Sequence, residues 1–152
     1  MTPADFIAKI AAAARASAKA TGIPASFTIA QAALESGWGN SKTTAAANNL
    51  FNIKADASWK GASWSMASME HVNGKDVVQP ALWRVYPDWQ ACLDDRAKFF
   101  STNKRYAGCF KAVGGEAWAR AVAAAGYATD PQYADKLIAT MRSHNLQQFD
   151  QP

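Results

Sequence analysis

One glutamate lies at a position in the sequence that suits a general acid. Glu35 follows the apolar, helix-forming run 29–34 and is followed at once by a Gly37-Trp38-Gly39 break. A carboxyl group at such a helix end is half-buried, which raises its pKa and lets it keep a proton near neutral pH, as a general acid must. A purely structural acid there would oppose the helix dipole at a cost of roughly a few tenths of a kcal/mol. The position therefore favours a functional role.

A second glutamate, Glu70, lies on a predicted β-hairpin. Asn73-Gly74 is a strong two-residue turn signal, and the resulting register places Glu70 opposite Val77 and Val72 opposite Lys75. Glycosidic bond cleavage needs one carboxyl group that protonates the leaving oxygen and another that assists the oxocarbenium-like centre from across a groove. From spacing alone, an exposed cross-strand residue is the favoured interpretation of Glu70. The third glutamate, Glu116, starts a predicted helix, so the helix dipole explains it.

The pattern of apolar residues and breaks predicts an α+β fold in a single domain, 1–152. A mainly helical lobe carries Glu35, and a small β-lobe at about 55–86 borders the cleft. Thr2-Pro3 and Pro24 open the first two helices, and Gly37 ends the second. We expect strands at 65–72, 75–79 and 82–86, irregular chain at 40–61, and helices after 88, over 104–112, over 116–125 and after 131. The tail from 147 is expected to be loose.

Composition excludes several classes of function. Apolar residues make up 49% of the chain, which indicates a globular protein, and no apolar run reaches the about 18 residues of a membrane span. The net charge of +4 suits a polyanionic partner such as nucleic acid, anionic lipid or acidic cell-wall polymer, but the basic residues are scattered, which argues against nucleic acid. Cys92 and Cys109 are expected to be buried free thiols. His71 and His144 have no companions at ligand spacing, so no metal site is expected. Glycosidic cleavage by carboxyl groups and water would need no cofactor either.

Aromatic residues are abundant, with six Trp, four Tyr and seven Phe. Sugar rings stack on aromatic faces, although most of these rings belong in a core. The better exposed candidates are Trp38 after the helix break, Trp59 and Trp64 beside glycines, and Tyr127 in a capping loop. The amides of Asn48, Asn49 and Asn52 can read sugar hydroxyl or acetamido groups, and local turn capping explains them equally well.

Five ordered motifs resemble one known family. They are Ala32-Ala33-Leu34-Glu35-Ser36-Gly37-Trp38-Gly39, Asn48-Asn49-Leu50-Phe51-Asn52-Ile53-Lys54, Glu70-His71-Val72-Asn73-Gly74, Trp83-Arg84-Val85-Tyr86, and the run from Gly126-Tyr127 through Tyr133-Ala134. Together they resemble the N-acetylglucosaminidase domain of flagellar-rod peptidoglycan hydrolases and bacterial autolysins. The resemblance covers most of the chain, from about Thr21 to Leu137.

The resemblance implies a lysozyme-like fold and cleavage of β-1,4 bonds in the peptidoglycan glycan strand by an endo-β-N-acetylglucosaminidase. It assigns the general acid to Glu35 and a second catalytic carboxylate on a mobile β-lobe to Glu70, which reverses the interpretation from spacing. It assigns to Tyr127 the orientation of the acetamido group or the attacking water, with Tyr133 as the alternative. The residues expected to contact the substrate are Ser36, Trp38, Asn49, Phe51, Tyr106 and Tyr133.

Other functions fit the same motifs. A muramidase or lytic transglycosylase on this fold would use one glutamate at a similar helix end, and a non-catalytic wall-binding component or an antibacterial effector is a further alternative. The N-terminus shows no basic segment followed by an apolar one, so no cleavable signal peptide is expected. A small, single-domain peptidoglycan hydrolase without such a segment fits a phage or prophage endolysin, made in the cytoplasm and released to the wall or periplasm by a holin-type route. We also expect a monomer.

Overall fold

The structure, a computed structural model, describes residues 1–152. Six α-helices and four short strands follow one another in the chain, with a 3-10 helix at Lys104–Lys111 and another at Leu146–Asp150. The ranges are α1 Pro3–Thr21, α2 Ala25–Ser36, α3 Lys42–Ala47, β1 Ser63–Ser65, β2 Ser68–Val72, β3 Lys75–Gln79, β4 Leu82–Arg84, α4 Trp89–Thr102, α5 Gly115–Ala124 and α6 Tyr133–Ser143. The predicted α+β class is confirmed.

Helix α2 lies at the centre of the helical lobe. Ten of its twelve residues are buried, because α1, α5 and α6 pack around it. Small side chains let these neighbours approach closely: a Cβ added at Gly115, the first residue of α5, would stand 2.0 Å from the Ser26 hydroxyl. The helix ends at Gly37, whose φ of 56° is the left-handed conformation that suits glycine. This geometry turns the chain away directly after Glu35 and Ser36.

The β-lobe consists of two separate antiparallel ladders. In β2 and β3, Glu70 pairs with Val77 and Val72 pairs with Lys75, as the Asn73-Gly74 turn predicts. The predicted third strand is shorter than expected, and it pairs with β1 instead of extending the hairpin. The Trp83 indole donates to the Met66 carbonyl at 3.0 Å, which joins the two ladders at their boundary.

Two expectations about irregular segments were wrong. Residues 42–47 form α3, because the Ser41 hydroxyl caps the backbone NH of Thr44 and Asn48 ends the helix in the left-handed conformation. The C-terminal tail is ordered as well. It forms the 3-10 helix at Leu146–Asp150, with Leu146 fully buried, and the Asp150 carboxylate accepts hydrogen bonds from the Ser26 backbone NH at 2.9 Å and hydroxyl at 2.6 Å.

Three further features concern the cysteines, the helix lengths and the arrangement of possible metal ligands. Cys92 and Cys109 are free and buried, as predicted. No helix combines the length and the apolar character that crossing a membrane requires. No group of three or more His, Cys, Asp or Glu side chains stands close enough together to bind a metal ion.

The tail contact gives a test of stability. Asp150→Ala leaves the fully buried Ser26 hydroxyl without its acceptor, and we expect the free energy of unfolding in urea to fall by about 1–3 kcal/mol. Gln151→Ala, one residue further along an exposed stretch, is the matched control and should leave it unchanged. Equal stability of the two variants would mean that the tail is as loose as the sequence suggested.

Candidate active site

The side chain of Glu35 leaves the last turn of α2 and is held from α6. The Tyr133 hydroxyl donates to Glu35 Oε1 at 3.0 Å, across 98 residues of sequence. The Glu35 carbonyl accepts from the Asn52 amide at 3.0 Å, and Asn52 itself stands in the left-handed conformation with φ 55°. Glu35 is therefore fixed at both its backbone and its carboxyl group.

Burial sets the acidity of Glu35. Desolvation raises the pKa of its carboxyl group, and the Tyr133 hydrogen bond offsets part of that rise because it favours the charged form. Leu34, the preceding residue, is 39% exposed and therefore contributes little to this burial. Tyr133 and Tyr127 are the titratable side chains that interact electrostatically with the Glu35 carboxylate. The result is the one expected of a general acid: a carboxyl group that keeps its proton to higher pH than a free glutamate.

Two tyrosines stand together beside Glu35. The rings of Tyr127 and Tyr133 stack with centroids 5.6 Å apart and planes at 23°. Tyr133 is the tyrosine that hydrogen-bonds the Glu35 carboxyl group. Tyr127 is only partly exposed, and burial raises the pKa of its hydroxyl, so it stays a neutral phenol. Of the two alternatives the sequence left open, Tyr133 is thus placed to orient the acid, and the predicted role of Tyr127 toward substrate stays a prediction.

A cavity of about 380 Å³ is lined by Tyr127 and by Asn52, the residue that hydrogen-bonds the Glu35 carbonyl, whereas Glu35, Tyr133 and Glu70 do not line it themselves. Its lining combines aromatic and charged side chains, which is the mixture that a sugar needs, with apolar faces to stack on and polar groups to fix its hydroxyls. A larger hollow lies between α1 and the C-terminal tail, but it contains none of the predicted site residues. The smaller cavity is lined by Phe51, Asn52, Ile53, Lys54, Asp56, Arg84, Asp95, Arg96, Phe99, Tyr106 and Tyr127.

Glu70 has the opposite environment to Glu35. Its carboxylate on β2 accepts from the Lys54 ammonium at 2.5 Å and from the Ser68 hydroxyl at 3.0 Å. The hydrogen bond from Lys54, followed by that from Ser68, holds the pKa of Glu70 below its usual range. One carboxyl group of raised pKa and another of lowered pKa are the environments that suit a general acid and a stabilising or basic partner.

Two predicted substrate contacts have structural roles. Ser36 is buried; its hydroxyl donates to the Ala32 carbonyl and accepts from the Gly39 NH at 2.8 Å, which stabilises the turn after α2. Asn49 is fully buried, and its amide bonds the backbone of Ile53 and Arg84, which attaches the loop to β4. Both side chains already direct their polar atoms to hydrogen bonds within the protein, so contact with substrate stays a prediction for them.

The remaining predicted contacts divide between the cavity and the core. Phe51 and Tyr106 line the cavity wall although they are largely buried. Trp38 is not part of that wall. Its ring packs edge-on against Phe6 at 5.7 Å and against His144 at 4.7 Å. The structure thus gives Trp38 a packing role, and contact with substrate stays a prediction for it.

Sequence reasoning missed a buried polar chain behind Glu35. The Arg96 Nε donates to Gln31 Oε1 at 2.8 Å, and the Gln31 amide nitrogen donates to the Tyr133 hydroxyl at 3.0 Å. Both Gln31 and Arg96 are buried. A signal was available: Gln31 interrupts an apolar run four residues before Glu35, so the two share one helix face. Arg96, on a distant helix, gave no such signal.

A helical lobe, a β-hairpin lobe and a carboxyl group of raised pKa at a helix end beside an aromatic cavity define the class of lysozyme-like glycoside hydrolases. Within that class, residues 11–146 match the glucosaminidase family, described as mannosyl-glycoprotein endo-beta-N-acetylglucosaminidase. The chain belongs to the glucosaminidase family.

Two relatives show how the chain compares with longer proteins. It is 40% identical over 138 residues to the peptidoglycan hydrolase FlgJ of Vibrio cholerae, covering 88% of this chain and 41% of FlgJ. It is 39% identical over 131 residues to the exo-glucosaminidase LytG of Bacillus subtilis, covering 83% of this chain and 46% of LytG. The chain thus spans less than half the length of these relatives.

Solved structures agree with the fold. The glycoside hydrolase domain of Salmonella typhimurium FlgJ superposes with a TM-score of 0.82 at 36% identity, covering 95% of this chain and 98% of that domain. The catalytic domain of the autolysin Auto from Listeria monocytogenes gives 0.87 at 32% identity, with 97% and 87% covered. The predicted lysozyme-like fold and family resemblance are confirmed.

The raised pKa of Glu35 predicts how stability changes with pH. Because the folded state holds this proton more tightly than the unfolded chain, Glu35 lowers the free energy of unfolding as pH rises from about 4 through its folded pKa. Glu35→Gln removes that loss, so the variant should melt at a higher temperature than wild type at pH 7 and at the same temperature at pH 3.

Glu116→Gln is the control of opposite sign. Hydrogen bonds from Arg142 lower the pKa of Glu116, so this carboxylate stabilises the fold above its unfolded pKa, and its loss should reduce the melting temperature at pH 7 and have little effect at pH 3. A Glu35→Gln variant that is less stable than wild type at pH 7 would contradict the assigned environment.

Proposed function

We propose that this chain is an endo-β-N-acetylglucosaminidase that hydrolyses the β-1,4 bond following N-acetylglucosamine in peptidoglycan. The observation that carries the proposal is the half-buried Glu35 carboxyl group, with its raised pKa and its hydrogen bond from Tyr133, beside an aromatic cavity. The names of the relatives, peptidoglycan hydrolase and exo-glucosaminidase, support the same substrate and bond.

The first step would be proton transfer from Glu35 to the glycosidic oxygen as the bond to the anomeric carbon breaks. Positive charge then develops on the sugar ring, and the ionised Glu70 is the carboxylate available to stabilise it. After it has lost its proton, Glu35 is a carboxylate that still accepts from Tyr133, so the same hydrogen bond becomes stronger as the reaction proceeds. That strengthening is the differential stabilisation that accelerates a reaction.

Two routes complete the reaction. In one, Glu70 takes a proton from water, which attacks the anomeric carbon and inverts its configuration. In the other, the carbonyl oxygen of the substrate's own N-acetyl group attacks first, with Tyr127 beside it, and water then opens the cyclic intermediate with retention. The anomeric configuration of the first product, read by NMR, separates the two routes.

The acid assignment is tested on purified peptidoglycan. Wild-type protein should release fragments with reducing N-acetylglucosamine ends, detected by mass spectrometry. Glu35→Gln keeps the shape and removes the proton donor, so the rate of release should fall by about 10²–10⁴-fold. Glu116→Gln, a glutamate paired with Arg142 away from the cavity, is the matched control and should cleave at the wild-type rate.

The products of that digestion also separate the alternatives. Reducing N-acetylmuramic acid ends would make the enzyme a muramidase, and anhydro-muramic ends a lytic transglycosylase. Binding to the wall without any released fragment would indicate a non-catalytic component. Wild-type rates of cleavage by Glu35→Gln would refute the proposed acid.

Glu70 is tested separately from folding. Glu70→Gln should reduce the turnover of the glycan strand by at least about tenfold, because the ionised partner is lost, while the melting temperature stays close to wild type since Glu70 lies on an exposed hairpin. Ser68→Ala, which removes the weaker partner of Glu70 but keeps Lys54, should lower turnover only slightly. A large fall in melting temperature for Glu70→Gln would assign it a structural role.

We also propose that the chain acts at the cell wall or in the periplasm, because that is where its proposed substrate lies. Release by a holin and an endolysin origin stay predictions from the sequence. Measuring wall lysis in cells that express the chain with and without a co-expressed holin tests that prediction.

A further inference from the structure

A buried cation stands behind the active site without a carboxylate partner. Arg96, in the middle of α4, is 2% exposed, and its guanidinium lies 4.9–5.2 Å from the rings of Phe27, Phe51 and Phe100. Its Nη1 donates to the Thr28 hydroxyl at 3.1 Å, and its Nη2 has no hydrogen-bond partner. Burial lowers the pKa of Arg96 to about 10, so it is still charged at neutral pH.

Burying such a charge costs free energy unless hydrogen bonds or an opposite charge compensate for the lost water. The one remaining contact of Arg96 is the hydrogen bond from Nε to Gln31, at 2.8 Å. The Gln31 side chain donates to the Tyr133 hydroxyl, and that hydroxyl donates to the Glu35 carboxyl group. The cation is thus joined to the proposed acid by three hydrogen bonds in series.

This chain of hydrogen bonds can run in only one direction. An arginine has no acceptor, so Arg96 must donate and the Gln31 oxygen must accept. The Gln31 NH₂ group then faces the Tyr133 oxygen and donates to it, because a flipped amide would set two donors against each other at Arg96. The single hydroxyl proton of Tyr133 is consequently left to point at Glu35 Oε1.

The direction of the chain decides which oxygen of Glu35 carries the transferable proton. Oε1 is already an acceptor, so the proton of the neutral acid belongs on Oε2, the oxygen that Tyr133 does not occupy. We propose that Arg96 and Gln31 are positioning residues that place the acidic proton on Glu35 Oε2 and stabilise the carboxylate left after proton transfer. The inference rests on the proposed role of Glu35 as general acid.

Other titratable groups around Glu35 do not provide this direction. Tyr127 stacks on Tyr133, and Tyr106 lies behind it with centroids 6.3 Å from Tyr127. Both are phenols whose hydroxyl protons are free to rotate. On the β-lobe side, the carboxylate of Glu70 is paired with Lys54. Arg96 is therefore the group that fixes the polarity of the hydrogen bonds reaching Glu35 from the helical lobe.

The test is the pKa of Glu35 measured by NMR on protein labelled with ¹³C at glutamate carboxyl groups. The chain contains only three glutamates, so the resonances are readily assigned. Gln31→Glu supplies a carboxylate of the same shape, which still accepts from Arg96 but cannot donate to Tyr133. The Tyr133 proton is then drawn toward the new carboxylate, and the pKa of Glu35 should rise by about one unit.

Activity gives a second readout. With Gln31→Glu, the pH at which glycan cleavage is lost on the alkaline side should move up by the same one unit, and kcat at neutral pH should fall about tenfold, since the carboxylate product of proton transfer is less stabilised. Thr28→Val is the matched control: it removes another hydrogen bond of Arg96 but leaves the chain intact, so it should change stability without moving the pKa of Glu35.

The wild-type protein provides a test that needs no variant to fold. Nuclear Overhauser contacts should join the Gln31 side-chain NH₂ protons to the ring protons of Tyr133. Contacts from those NH₂ protons to the Arg96 Nε–H instead, or a Glu35 pKa that Gln31→Glu leaves unchanged or lowers, would overturn the inference. These NMR results stand apart from the proposed function: absence of glycan fragments from wild type would refute the activity, whereas an unmoved pKa refutes only the positioning chain.

Discussion

The hydrogen bond from Tyr133 to Glu35 is the interaction on which the arrangement of this molecule depends. It requires a carboxyl group at the end of a helix that is buried almost all round, and it requires α6 to return, 98 residues later, to the same point. The small side chains of α2 and the close approach at Gly115 allow that packing. The Asn52 amide then donates to the Glu35 carbonyl, which attaches the loop leading to the β-lobe to the end of α2.

The two carboxyl groups differ because their surroundings differ. Glu35 is half-buried between tyrosines, which raises its pKa, whereas Glu70 stands on an exposed hairpin with an ammonium group beside it, which lowers its pKa. The same residue type can therefore be suited to donating a proton in one environment and to supplying a negative charge in another. The first group lies at the end of a helix of the main lobe, and the second lies on a separate two-stranded ladder.

The sequence indicated those features that depend on local patterns. The Asn73-Gly74 turn fixes the hairpin register, Gly37 ends α2, and the apolar run before Glu35 indicates that this acid is partly buried. The sequence did not indicate contacts between segments that are far apart in the chain. The short helix at 42–47 depends on caps at Ser41 and Asn48, and the tail is ordered because Asp150 reaches Ser26. The motifs did not indicate that Ser36 and Asn49 are buried, and Arg96 gave no signal because its partners lie on other helices.

Neutron diffraction from crystals of the wild-type protein, exchanged into deuterated buffer near pH 4, locates the protons on which the Tyr133–Glu35 interaction depends. The chain of hydrogen bonds predicts that the Tyr133 deuterium points at Glu35 Oε1 and that the Glu35 deuterium lies on Oε2, with the Gln31 ND₂ group facing Tyr133. A deuterium on Oε1 that points at the tyrosine oxygen, or an ionised Glu35 under those conditions, would contradict it.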